Sequence, residues 1–390
     1  DPCFIDECLI RFPKGIMKVL VTGGAGFIGS HLVEDLLEKN HDVMVYDNLD
    51  SQVHGNQSTP PKYISSDVEF LALDVKDRDA LKRSIEDVEV IFHLAARVGV
   101  GQSMYQVKKY YDTNVMGTAN LLDILVKENH DVKKLVVASS MSTYGEGKYY
   151  CEKCGYIYPG LRTEEQLRKK QWEVTCSACG RLARPVPTDE NTPQDCSSIY
   201  SLTKREQEKM CLLIGKTYGI NTTALRIFNT YGPRQSLSNP YTGVCAIFSS
   251  RLLSGNAPIV YEDGKQTRDL IHVKDVSRAL VLSMEKPLSE GEVLNVGTGS
   301  PIAIKEVANT LSDLINPDIK PNITQKYRMG DLRHCYADIT KISSKLGFKP
   351  AFTFNKGIKE YVQWVEKQKD KSKDKTNVAH KELNEMGLLK

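Results

Sequence analysis

The sequence predicts an α/β protein built on a doubly wound parallel sheet, with a smaller C-terminal lobe and an inserted module. Three observations carry that prediction. Apolar, β-branched runs alternate with helical stretches through the first half of the chain, the pattern of a parallel sheet with right-handed crossovers. The first of those runs ends in a glycine-rich turn that opens a helix. The alternation stops after Tyr144 and resumes near Tyr200, and the interval holds two Cys-x-x-Cys pairs.

Taken in order, Lys18–Thr22 reads as the first strand, with Val43–Tyr46, Val68–Leu73, Val90–Leu94 and Lys134–Ser139 following. Ser30–Lys39, Asp77–Ile85 and Tyr110–Asn129 read as the helices between them. Beyond the irregular residues 146–193, Tyr200–Tyr218 is expected as a helix and Asn221–Phe228 as a strand. These elements outline a nucleotide-binding type of domain over residues 17–230, interrupted by the 146–193 insertion. Residues 231–369 mix turns with short elements, as a smaller lobe does, and include a helix from Asn355 to about Lys369; some of their segments are expected to return to the first domain. Residues 370–390 are strongly charged and are expected as a solvated tail, with a short amphipathic helix as the alternative. Residues 1–16 precede Met17 and read as an N-terminal extension.

Composition narrows the function classes. A chain of 390 residues can bury a large core, and a net charge of +3 favours neither nucleic acid nor membrane as a partner. No apolar run approaches the roughly 20 residues of a membrane span. Ten cysteines without a secretion-like N-terminus suggest reduced thiols and a cytoplasmic location.

The turn Thr22–Gly29 is the most informative segment. A strand feeding a helix through glycines aims backbone N–H groups and the helix dipole at an anion, and glycine lets a pyrophosphate approach the backbone. Gly24, Gly26 and Gly29 fit the Rossmann-type dinucleotide fingerprint, and Gly23, Gly26 and Gly29 fit its three-residue-spaced variant, with Phe27 and Ile28 in the same turn. Asp47, 18 residues beyond Gly29, suits a ribose diol and repels a 2′-phosphate. With no Lys or Arg between Met44 and Pro61, NAD is favoured over NADP; a turn former before Asn48 is the plainer reading of Asp47. Asp74 is read either as an adenine contact or as a helix cap. Small residues in Leu94–Ala95–Ala96 would let the cofactor lie against a strand end, and His93 reads as a satisfied core histidine.

Tyr200 and Lys204 share a helix face, so an ammonium can favour a phenolate and make tyrosine a general base. The spacing also occurs at Tyr105/Lys109, Tyr144/Lys148, Tyr149/Lys153 and Tyr261/Lys265. Tyr200/Lys204 differs in opening a helix after the strand whose end carries Ser139, Ser140, Ser142 and Thr143.

Thr22–Gly29, Asp47, His93–Ala96, Asn114, Ser139–Gly145, Tyr200-x-x-x-Lys204, Arg226–Arg234 and Arg268–Val273 together resemble the extended short-chain dehydrogenase/reductase family of sugar-nucleotide epimerases and dehydratases, over about Lys18 to Glu366. The resemblance implies Ser140, Tyr200 and Lys204 as the catalytic set, tightly bound NAD, and a homodimer. It implies a cofactor site of Gly23, Gly26, Phe27, Ile28, Gly29, Asp47, Asn48, Asp74, Val75, Leu94, Ala95, Ala96, Asn114, Ser139, Tyr200, Lys204 and Ile227. It further implies that Ser140 and Ser142 face a nucleotide-diphosphate sugar, that Asn229 and Arg268 hold its diphosphate, and that Arg328 and Asp331 contact its nucleoside and phosphates. One departure matters. Dehydratases of the family carry an Asp–Glu pair after the catalytic hydroxyl, where this chain has Met141 and Ser142. Methionine transfers no proton, so reversible oxidation at sugar C4, as in an epimerase, is the expected chemistry. A 4-keto-sugar reductase and a non-catalytic NAD-binding scaffold are the alternatives.

Cys151-x-x-Cys154 and Cys176-x-x-Cys179 are separated by 21 residues, and each is followed by a glycine, Gly155 and Gly180. Four thiolates at such spacing predict a closed structural zinc site rather than disulfides. The insertion is expected near the rim of the site. The four-cysteine module and the runs Asp50–Gly55 and Val98–Tyr105 also resemble a subgroup of the same family.

Overall fold

The computed structural model describes residues 15–390; the expected extension, with Cys3 and Cys8, lies almost wholly outside these residues. Seven parallel strands form the central sheet: β1 (Lys18–Thr22), β2 (Asp42–Tyr46), β3 (Glu69–Leu71), β4 (Val90–His93), β5 (Lys134–Ser140), β6 (Asn221–Ile227) and β7 (Val293–Val296). Their spatial order is β7-β6-β5-β4-β1-β2-β3. β5 and β6 are buried at every residue, as strands covered on both faces must be.

Side-chain alternation divides the core. Val19 and Val21 of β1 face a cluster with Leu32 and Leu36 of α1 (Phe27–Glu38) and Val276, Leu280 and Met284 of a long helix, Val273–Glu285. Leu20 faces the opposite cluster, with Leu121 and Leu125 of α2 (Gly117–Lys127) and Cys211 of α3 (Ile199–Tyr218). The sheet is therefore wound on both sides, and β1 and β4 meet where the strand order reverses, the place such folds bind ligands. β7, from the second half of the chain, joins this sheet in parallel beside β6.

Two segments differ from the sequence reading. The single helix expected over Tyr110–Asn129 begins with a π-helical turn, Tyr111–Met116. Asn114 in this wide turn is fully buried and ties the Arg97 backbone to the Thr203 hydroxyl, contacts that helical periodicity does not reveal. The second difference is a correction: residues 370–390 are not a solvated tail. Thr376–Glu385 forms a helix, α4, that buries Ala379 and Leu383. The last residues pair with the second lobe, with Lys390 N–H donating to the Tyr327 carbonyl at 3.0 Å and Tyr327 N–H to the Lys390 carbonyl at 2.9 Å. Most charged positions face outward, Asp374 and Glu382 excepted, while three apolar positions, Ala379, Leu383 and Leu389, are buried.

The inserted residues build a three-stranded antiparallel sheet from Tyr149–Cys151, Gly155–Ile157 and Arg184–Pro185. A buried ion cluster joins it to the second lobe. Arg162 meets Glu262 at 2.9 Å and Glu146 at 3.3 Å, while Arg333 meets Glu262 at 3.0 Å, Asp263 at 2.8 Å and Glu173 at 2.5 Å.

Candidate active site

The first turn of α1 starts at Gly26, whose N-cap position supplies no side-chain bond to the orphan N–H groups that follow. Gly29 must lack a side chain, because a Cβ there would lie 2.2 Å from the Gly23 carbonyl oxygen. Gly23 has φ +73°, and its Cβ would meet the Ala95 nitrogen at 2.9 Å. The turn is thereby pressed against the end of β4.

Above it lies a cavity of about 460 Å³ at the carboxyl ends of the strands. Of the expected cofactor set, Gly23, Gly26, Phe27, Ile28, Gly29, Asp47, Asn48, Asp74, Val75, Leu94, Ala95, Ala96, Ser139, Tyr200, Lys204 and Ile227 line it, as do Ser140, Ser142 and Asn229. Asn114 does not; it sits behind the wall, holding Arg97. Arg268, Arg328 and Asp331 also lie off the wall. Arg268 donates to the carbonyls of Thr267 and Leu332 at 2.8 and 2.7 Å, and Arg328 pairs with Asp331 at 2.8 Å.

The Asp47 carboxylate accepts from Ala25 N–H at 3.0 Å and Leu49 N–H at 2.9 Å, so it braces the glycine turn as well as facing the cavity. Burial raises its pKa, and those two bonds with nearby His54 oppose the rise. Asp74 is not the helix cap: Asp77 caps the next helix through Ala80 N–H, while Asp74 accepts from Asn48 at 2.9 Å. Asn229 presents a buried side-chain oxygen without a protein partner, as does Gln235 on the same wall. A glycine cradle, free helix N–H groups and orphaned amide oxygens fit a dinucleotide.

The candidate catalytic groups converge. A Ser198–Ser201 capping box starts α3 just before Tyr200, and the Ser103 hydroxyl accepts Tyr200 N–H at 3.0 Å. Ser140, the last residue of β5, shares the cavity wall with Tyr200; burial raises the phenol's pKa and the Ser140 hydroxyl opposes the rise. Lys204 is 3% exposed, and burial lowers its pKa to about 8. Its ammonium points to Gln207 Oε1 at 2.5 Å. Gln207 in turn donates to Thr118 at 2.8 Å, and His93 bonds Thr118 at 2.9 Å and Thr22 at 2.8 Å. Burial drives His93 to about 3, so it is a neutral core histidine.

Met141 is buried, and Ser142 turns its hydroxyl onto Ser140 at 3.0 Å. The carboxylates on the wall, Asp47, Asp50 and Asp74, all belong to loops after β2 and β3. With strands about 4.8 Å apart, β2 and β5 are separated by β1 and β4, so these acids rise from strand ends remote from that of Ser140, with Asp50 reaching Arg97 after β4.

Sequence reading missed Gln207, Glu208 and Tyr241. Glu208 is fully buried, accepts from Ser139 at 2.7 Å and pairs with Arg226 at 2.7 Å, fixing the end of β5. Gln207 follows Lys204 by three positions on α3, a spacing that could have signalled it. Tyr241 had no local signal.

The four module cysteines bring their sulfurs within 4.8 Å of one another, with Cys151 and Cys179 at 3.5 Å. A tetrahedron with Zn–S bonds of about 2.3 Å needs sulfurs roughly 3.8 Å apart. Gly155 (φ +78°) and Gly180 (φ +72°) turn the chain back at each pair, and N–H groups of Lys153 and Cys154 help lower the Cys151 thiol to about 7. No residue of the 146–193 insertion lines the cavity; Glu190 instead touches the sheet behind it, its carbonyl accepting from Arg226 at 3.1 Å and its carboxylate from Asn295 N–H at 2.7 Å.

The sequence profile of the NAD dependent epimerase/dehydratase family matches residues 19–162 and 167–297, and the chain belongs to that family. Within it, the chain is 33% identical over 356 residues to dTDP-L-rhamnose 4-epimerase of Burkholderia thailandensis, covering 91% of this chain and 96% of that protein. Its fold matches the structure of a Thermotoga maritima UDP-glucose 4-epimerase with UDP-glucose (TM-score 0.73, 31% identity, 90% of this chain and 99% of that one). It also matches a Thermus thermophilus UDP-glucose 4-epimerase in complex with NAD (TM-score 0.67, 29% identity, 90% and 99%).

Proposed function

We propose that this protein is an NAD-dependent nucleotide-sugar 4-epimerase, with dTDP-L-rhamnose as its first-choice substrate and UDP-glucose as the next. The observation that carries the reading is the set Ser140, Tyr200 and Lys204 on one cavity wall whose carboxylates all come from the loops after β2 and β3. That set can move the hydroxyl proton when a carbinol is oxidised and reduced by a bound nicotinamide, and it lacks an acid–base pair for water loss. The first-choice substrate follows the relative at 33% identity.

NAD bound on the glycine cradle supplies a hydride acceptor and donor. The protein handles the proton. Tyr200 Oη takes the 4-hydroxyl proton, Ser140 Oγ holds the same sugar oxygen, and the Lys204 ammonium favours the phenolate. The proton goes back from Tyr200 when the 4-keto sugar is reduced on its other face, so no cofactor is consumed. Asn229 serves the diphosphate. Arg268, Arg328 and Asp331 are retained for the far end of the substrate; a diphosphate competes well for the Arg268 guanidinium, whose donors now go to carbonyls.

Cys151, Cys154, Cys176 and Cys179 are proposed to hold a structural zinc ion, with four thiolates closing its coordination. Exposed Met104, Val107, Met116 and Leu213, on helical segments that pack together over α2 and α3, are proposed as part of a homodimer contact. Cysteine usage supports a cytoplasmic enzyme. Among the described residues no helix is long and apolar enough to cross a membrane.

The test is incubation with dTDP-L-rhamnose, UDP-glucose and GDP-sugars without added cofactor, followed by NMR. Formation of a 4-epimer is expected. Reaction only with stoichiometric NADH would replace the reading with a 4-keto reductase, and unchanged biological activity of Tyr200→Phe would replace it with a scaffold.

A further inference from the structure

The Glu382 carboxylate of α4 accepts hydrogen bonds from two tyrosines that come from different parts of the chain. Tyr105 donates to Oε2 at 2.6 Å, Tyr241 donates to the same oxygen, and the two phenols lie 2.6 Å apart. Burial, then the Glu382 carboxylate, pushes the Tyr105 phenol up to about 12, so it is a donor at neutral pH. Tyr241 lines the cavity and lies against Gly99, where an added Cβ would meet its Cβ at 3.0 Å. Next to Glu382, Leu383 is buried over Gly101, 3.1 Å from where a Cβ would stand. The loop thus gripped, Gly99–Tyr105, carries Ser103, whose hydroxyl accepts the Tyr200 N–H. It also carries Gln102, which is bonded to Tyr110, the ring packed edge-on against Tyr200 at 6.5 Å.

The grip is anchored at both ends. Asp374 pairs with Arg251 at 3.2 Å with both side chains nearly buried, and Ser372 meets Ser250 at 3.1 Å. Beyond α4, Met329 N–H donates to the Leu388 carbonyl at 3.0 Å, next to the Tyr327–Lys390 pair. His380 bonds Tyr261 at 2.6 Å, and Arg328 stacks over that ring.

We propose that Glu382 is a positioning residue for the active site: it sets Tyr241 in the substrate wall and fixes the Gly99–Tyr105 loop that orients Tyr200. The C-terminal segment is then part of the sugar pocket's construction. This rests on the epimerase reading above, but its structural half does not.

The test compares wild type, Glu382→Ala and Glu382→Gln as full-length chains carrying their bound NAD. Amide hydrogen exchange is read at Gly99–Tyr105 and around Tyr241, and KM and kcat are measured for dTDP-L-rhamnose and UDP-glucose. Glu382→Ala is expected to speed exchange in those two segments and raise KM about tenfold, as loss of a hydrogen bond to a charged acceptor implies. NAD content is expected to stay unchanged. Glu382→Gln, whose amide oxygen can still accept both phenols, is expected to restore both readouts. Unchanged exchange in Glu382→Ala overturns the proposal, and so does faster exchange with unchanged KM and kcat. If wild type epimerises neither sugar, the functional reading fails, while the exchange arm still decides whether Glu382 holds the loop. A Tyr241→Phe variant, which removes one donor without touching α4, is expected to show a smaller shift in the same direction and guards against misfolding of Glu382→Ala.

Discussion

Tyr200 and Lys204 show how burial sets chemistry one side chain at a time. Tyr200→Phe keeps the ring and removes the proton acceptor, so turnover is expected to fall by about 10²–10⁴-fold with bound NAD retained; single-turnover rates and the cofactor content of the purified variant check this. Lys204 is buried with a pKa near 8, well below its unfolded value near 10.4. Between those values the unfolded chain binds more protons than the folded one, so this group makes stability rise with pH across that window and costs stability below it. Lys204→Met is therefore expected to gain stability near neutral pH, lose that part of the rise above about pH 8, and lose activity. Denaturant midpoints from pH 6 to 10 beside an activity assay test the three outcomes. The sequence paired these two residues correctly on one helix face, but their rank among five Tyr-x-x-x-Lys pairs rested on what surrounds them. The capping box and the Ser103 bond are what aim Tyr200 at Ser140.

Among the elements, the cysteine module is joined to the second lobe by charge rather than by a large apolar surface. Removing one member of a buried ion pair strands its partner, so Arg162→Ala is expected to cost about 3–5 kcal/mol, read from urea unfolding. Glu173 is held down to about 2, first by its bond to His334 and then by Arg333. A depressed carboxylate stabilises the fold fully above its unfolded pKa near 4.3, and that contribution drains away as pH falls toward 2. Glu173→Gln is expected to lower stability at pH 7 and to flatten the acid limb between about pH 4 and 2, which acid titration of unfolding follows. Cys151→Ser with Cys154→Ser is expected to abolish zinc content and lower the melting temperature; full zinc content in that variant sinks the metal assignment. The two Cys-x-x-Cys pairs and their glycines were legible because each cysteine turn is local. The dock was not, because Glu146, Arg162 and Arg333 meet across 187 residues.

At the scale of the whole molecule, the cavity is closed by bonds between its halves. Gln52, on the loop after β2, donates to Asn239 of the second lobe at 3.2 Å and to Gln102 at 3.0 Å. NAD is expected to survive gel filtration of the wild type, and Gln52→Ala with Asn239→Ala is expected to release it faster, as followed by fluorescence of the reduced cofactor after sugar addition. The sequence by itself determined the parallel sheet, the glycine turn, Asp47, the serine-bearing strand end and the Tyr200/Lys204 helix. Each of these is written in a short window, by alternation, helical period or glycine spacing. Tertiary structure decided the rest. It turned an apparent tail into α4, moved Asn114 behind the wall, kept the cysteine module off the cavity and recruited Gln207, Tyr241 and Glu382. The physical reason is common to all of them. A polar or apolar side chain shows its role only when a partner distant in the chain takes up its hydrogen bonds or covers its surface, and no local pattern records that partner.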